Sequence, residues 1–168
     1  MDTIESIIVK KPSLLKKRFE FRHNQTMLAE INYPSSFKSD AVITIGKDQW
    51  ELKKAGFWKS RLELKATQSP YNTETIPLPI SNKIKFRYQD GNMYHLKCTG
   101  LLSSEWAWLD AEDRPVITMQ SRAFSGAERG RIQMHRQPVE DFMLLLMIGW
   151  YTIVSSEDNT AAVVAGTA

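Results

Sequence analysis

A chain of 168 residues with 42% hydrophobic and 24% charged side chains can bury roughly 70% of its unfolded surface in one domain, which excludes wholesale disorder and a multi-span membrane protein. Lysine and arginine number 22 against 19 aspartates and glutamates, and the resulting net charge of +3 permits an anionic partner without requiring one. The single cysteine, Cys98, excludes an internal disulfide and a cysteine-cluster zinc site and makes a reducing compartment the easier reading.

The N-terminal stretch MDTIESIIVKKPSLLKKRF has no basic start leading into an apolar run, so no secretion signal is read and the cytoplasm is expected. Within it, Lys10 to Arg18 alternates charge with Leu14 and Leu15. That run is either a surface for an acidic membrane or a solvated turn between two strands, as Pro12 and Ser13 indicate. From there to about residue 135 the chain breaks into short segments with period-two alternation, the mark of half-buried strands. Phe19 and Phe21 alternate with Arg18, Glu20 and Arg22, and Met27, Ala29, Ile31 and Tyr33 share a face opposite Glu30 and Asn32. Ala41, Ile43 and Ile45 follow, then Trp50 with Leu52, then Trp58, Leu62 and Leu64. Pro70 to Pro79 is read as a surface loop, because its prolines cannot donate into a central ladder.

The segment NKIKFRYQDGNMYHLKC is the clearest hairpin. A two-residue Asp90-Gly91 turn would set Phe86 against His95 and mix the faces. A three-residue loop, Gln89 to Gly91, pairs Phe86 with Tyr94 and Ile84 with Leu96 and puts Gly91 at the left-handed position. Further strands are expected at Glu105 to Leu109, Pro115 to Gln120 and Arg131 to His135. The sum is roughly twelve antiparallel strands, and closure into a barrel would remove exposed edges.

Thirteen apolar or near-apolar residues then run from Phe142 to Val154. Pro138 suits a first helical position, and Glu140 and Asp141 complement the helix dipole, so a helix is expected over about 138–154. Its apolar part spans about 20 Å, short of the roughly 30 Å of a bilayer core, and no lysine or arginine follows as an anchor. With no polar stripe it must be buried on all sides, and the inside of a large barrel provides that. A membrane span and a buried strand are the weaker alternatives. The domain is expected to cover 1–159, with 160–168 a disordered tail.

Strands of this number followed by FMLLLMIGWYTIV, together with the hairpin YQDGNMYHLKC and the strands GFWKSRLELK and SEWAWLD, resemble the tubby-like barrel superfamily, closest to its LURP-one-related and scramblase-like members. The resemblance implies an antiparallel barrel around a central hydrophobic helix, and an association with phosphoinositide binding, membrane-linked signalling, lipid scrambling or defence. The chain lacks the cysteine-rich lipidation stretch and terminal span of the scramblase branch, which argues against lipid translocation.

The hairpin register makes the candidate site. It sets Lys83 opposite Lys97 and Lys85 opposite His95, with Arg87 on the same side, and like charges directly opposite are destabilising. Acidic neighbours or a bound anion must relieve them, so Lys83, Lys85, Arg87, His95 and Lys97 form a candidate face for a phosphate or lipid headgroup. The alternative is a lysine-rich solvated face that resists edge association, on a module whose partner is another protein. Nucleic acid is not expected, because the five tryptophans sit mostly on apolar strand phases. No enzyme, metal or cofactor is expected either. His23, His95 and His135 lack ligand spacing, no strand-to-helix elbow frames a serine, and Gly126 to Ile132 lacks the phosphate-loop lysine.

Overall fold

A computed structural model of the chain describes residues 4–35, 40–55, 61–67, 73–77, 83–87, 91–100, 104–121, 126–136 and 142–166, with 73–77 and Lys83 described by their backbone. The alternating segments form β1 (Ser6–Lys10), β2 (Arg18–His23), β3 (Thr26–Asn32), β4 (Ala41–Ile45), β5 (Asp48–Ala55) and β6 (Arg61–Ala66). The second half continues with β7 (Thr73–Pro77), β8 (Lys83–Arg87), β9 (Met93–Cys98), β10 (Glu105–Leu109), β11 (Pro115–Ser121) and β12 (Glu128–Met134), and a single helix, α1 (Phe142–Gly166), ends the fold. All twelve strands join one antiparallel sheet in the order β7-β6-β5-β4-β3-β2-β1-β12-β11-β10-β9-β8. Consecutive strands pair throughout except β7 with β8, and β1 also pairs with β12, where Ile7 stands opposite Ile132 and ties the two ends of the meander together. The edges are β7 and β8. No ladder joins them among the described residues, while their Cα atoms approach to within 8 Å.

The apolar face of this sheet packs on the helix. Leu145, Leu146, Met147, Ile148, Gly149, Trp150 and Tyr151 are buried without a break. At 100° per residue such a run turns more than once round the axis, so no side of the helix meets solvent there. It touches β3 and β4 on one side and β10 and β11 on another, strands separated in the sheet by β2, β1 and β12. The sheet therefore bends around it. Trp150 makes edge contacts with Phe19 and Phe21 at 5.9 Å each, and Tyr33 stacks on Tyr151 at 6.1 Å. Trp108 donates its indole N–H to the Leu145 carbonyl at 2.8 Å, which gives a buried polar group its partner inside the core. Each large side chain buried here contributes about 1.5–3 kcal/mol, so the helix is a principal source of stability. No helix among the described residues is long and apolar enough to cross a membrane.

Three elements differ from the sequence expectation. The stretch from Pro70 to Pro79, read as a loop, contains β7, laddered to β6 from Arg61↔Pro77 to Lys65↔Thr73. Its proline is tolerated because β7 is an edge strand with one ladder partner, where a missing N–H costs little. Met27 leaves the face it was expected to share. A bulge between Phe21 and Arg22 sets Phe21 opposite Ala29 but Arg22 opposite Met27, and Met27 is 48% exposed. The helix also outlasts its apolar segment by three turns: residues 160–166, expected as part of a disordered tail, are helical and exposed. Thr160 Oγ1 donates to the Ser156 carbonyl at 3.0 Å there, and the alanines that follow favour helix. The expected helix start at Pro138, Glu140 and Asp141, and Trp58, lie outside the described residues.

Candidate anion-binding face

The β8–β9 hairpin has the register read from its sequence. Lys83 stands opposite Lys97, Ile84 opposite Leu96, Lys85 opposite His95, Phe86 opposite Tyr94 and Arg87 opposite Met93. Gly91 has φ +86°, the left-handed value that a three-residue loop requires, and the rest of that loop lies outside the described residues. Ile84, Phe86, Tyr94 and Leu96 are all buried, so the pleat turns Lys85, Arg87 and Lys97 outward.

Lys85, Arg87 and Lys97 are exposed and make no ion pair among the described residues. The next strand offers no relief, since Ala107 stands opposite Lys97 on β10 and Leu109 opposite His95. Several cations elsewhere on the sheet do have acidic partners. Arg18 bonds both Glu20 and Glu30, Arg22 bonds Glu20, Lys53 pairs with Glu51, and Arg61 pairs with Glu63. Of Lys83 only the backbone is described, in its place opposite Lys97.

His95 is set apart from the other four. Its Nε2 donates to Asp113 Oδ1 at 2.6 Å, and its side chain is 13% exposed. Asp113 sits at φ +59° in the β10–β11 turn, shaped by Asp110. Asp110 accepts the backbone N–H groups of Glu112 and Arg114 and pairs with the Arg114 and Arg136 guanidinium groups at 2.9 and 3.1 Å. Its carboxyl lies below the usual range. Desolvation pushes it up, and the backbone and side-chain hydrogen bonds from Arg114 outweigh that push. The Asp113 contact was not legible in sequence, because 18 residues separate the partners and only the β9–β10 ladder brings the turn beside His95.

The remaining sequence candidates stay apart. His23 Nδ1 donates to the Ser6 carbonyl at 2.9 Å, and His135 Nε2 bonds Thr118 Oγ1 at 2.7 Å. Cys98 is half-buried against the core, with its Sγ 3.7 Å from the Gly100 carbonyl. Trp106, Trp108 and Trp150 are buried, so these three present no base-stacking platform, and Trp50 is half-buried.

Fold and face together define a class, a mainly β domain with, among the described residues, twelve antiparallel strands and one C-terminal helix whose apolar half is buried. No protein-family model matches the chain, and neither does any curated protein or solved structure.

Proposed function

We propose that this chain is a non-enzymatic binding domain that takes an anionic phospholipid or phosphate headgroup on the outer face of the β8–β9 hairpin. The observation that carries the reading is the clustering of exposed cations at Lys85, Arg87 and Lys97 on two adjacent strands without an acidic partner among the described residues, whereas Arg18, Arg22, Lys53 and Arg61 on the same sheet are paired. Lys83 and His95 complete the face in register. Cationic donors set by a rigid ladder suit a phosphate, whose oxygens accept several charge-assisted hydrogen bonds at once.

The reading includes a barrel of tubby-like type, closed around α1, in a cytoplasmic protein that meets the membrane at its periphery. It is supported by the approach of β7 to β8 and by the helical run Leu145 to Tyr151, buried on every side. The test is co-sedimentation of the full chain with neutral and with anionic vesicles, phosphoinositides included, across a salt series. Binding to anionic vesicles alone, weakening as salt rises and lost in Lys85→Glu/Arg87→Glu, is the expected result. Salt-independent capture of a protein partner through this hairpin would replace the lipid by a protein interface.

A further inference from the structure

The turn between β1 and β2, residues 11–17, lies away from the hairpin and carries its own ligand-binding features. Leu14 is 86% exposed and Leu15 95%, the two most exposed large apolar side chains among the described residues. They are held out by a built turn. Ser13 Oγ accepts the backbone N–H groups of Leu15 and Lys16, each at 3.3 Å. The Lys11 N–H donates to the Ala127 carbonyl at 2.8 Å, and the Lys17 carbonyl accepts the Tyr33 N–H at 2.9 Å, so both feet of the turn are pinned to the sheet. Lys10 and Lys16 flank the leucines and are exposed.

Behind the tip lies a cavity of about 260 Å³, lined by Lys11, Lys17, Arg129, the two leucines and the end of the buried part of α1. Two carboxylates share the lining: Asp158 is ion-paired with Lys17, and Glu157 accepts the Ser121 hydroxyl. Lys17 is fixed further by the face of the Tyr33 ring, 4.6 Å away. Lys11 titrates below the ordinary lysine value, first because it is partly buried and then because Arg129 and Lys17 crowd it. Three cations against two carboxylates leave the lining with a positive balance, which favours an anion.

We propose that the β1–β2 turn is a membrane-inserting finger: Leu14 and Leu15 enter an anionic bilayer while Lys10 and Lys16 meet its headgroups and the Lys11–Arg129 cavity takes a lipid phosphate. A bilayer is the occupant that fits, because two leucines among cations match an apolar layer beneath an anionic surface. A second copy of the chain would bring the same cations and be repelled. The turn is ordered before it docks, so little conformational freedom is lost on insertion. The proposal rests on the lipid-binding reading for its target but not on the hairpin for its contacts.

The test uses the full chain with vesicles of phosphatidylcholine alone or mixed with phosphatidylglycerol. An environment-sensitive dye on Leu15→Cys, in a Cys98→Ser background, should shift to the blue with the anionic vesicles and stay unchanged with neutral ones. Leu14→Ser/Leu15→Ser should cut partitioning on the order of 100-fold at an unchanged unfolding midpoint, since both positions are exposed. Lys11→Gln should weaken it at the same midpoint. Sedimentation with no dye shift, or full binding by the serine variant, overturns the finger. If that binding is lost in Lys85→Glu/Arg87→Glu, the hairpin stands alone. Loss in the serine variant with full binding by the hairpin variant keeps the finger and removes the hairpin, and no sedimentation at all overturns both.

Discussion

A methyl group at Gly149 would lie 2.5 Å from Met119 Cε and 2.8 Å from Trp108 Nε1, and one at Gly130 would lie 2.4 Å from the Trp150 ring and 2.5 Å from the Gln120 carbonyl oxygen. Both glycines are therefore read by close approach. At Gly149 alanine would improve helix propensity by up to about 1 kcal/mol, but overpacking a full core costs about 1–3 kcal/mol. Part of the clash is with the flexible end of Met119, which can move. At Gly130 the obstacles are an indole locked between Phe19 and Phe21 and a backbone oxygen. Gly130→Ala should accordingly lower the urea midpoint more than Gly149→Ala, and both should lower it. Helix propensity alone marks Gly149 as a weak point. Its packing role depends on Trp108 and Met119, which no local pattern joins to it.

At the scale of elements, like-charge opposition in the hairpin has a cost that can be measured apart from binding. Lys97 stands opposite Lys83 with Ala107 on its other side. Lys97→Glu makes an opposite-charge cross-strand pair and should raise stability by about 0.2–1 kcal/mol, seen as a higher urea midpoint, while binding to anionic vesicles falls. A lower midpoint would mean that another group already compensates Lys97. The hairpin was legible because only one register separates its apolar from its polar residues, and Gly91 marks the turn. The bulge opposite Phe21/Arg22 was not, since its extra residue, Leu28, lies at the start of β3 and leaves the alternation of Ala29 and Ile31 intact. β7 was hidden by the prolines around it, which exclude a central strand but allow an edge. The helix end was missed because Ser155 to Asn159 breaks the apolar run, although exposed helix needs no apolar run at all.

For the whole molecule, the sequence carried the two large features, many alternating strands and one segment apolar on all sides, and the second has an enclosed place only if the first surrounds it. What composition and periodicity left out was which strands meet which faces of the helix, set by the β1–β12 pairing. Removing residues 142–168 withdraws the run from Leu145 to Val154 that the sheet packs on, a loss greater than the roughly 5–15 kcal/mol that stabilises an ordinary domain. That truncation should abolish cooperative unfolding, followed by near-ultraviolet circular dichroism. Removing 160–168 instead takes away exposed helix and should leave the midpoint within about 0.5 kcal/mol. A folded remainder after the first cut would sink the central role of α1.

The place of α1 in the chain order also governs how the protein is made. All twelve strands leave the ribosome before the helix their apolar faces pack on, and β1 must wait for β12. Until α1 emerges, the nascent chain carries strands whose apolar faces have nothing to pack on, a state open to aggregation and to chaperone capture. Completion of the core is thus tied to the synthesis of α1, and a chain cut short by a premature stop before Phe142 would be handed to quality control as an unfolded protein.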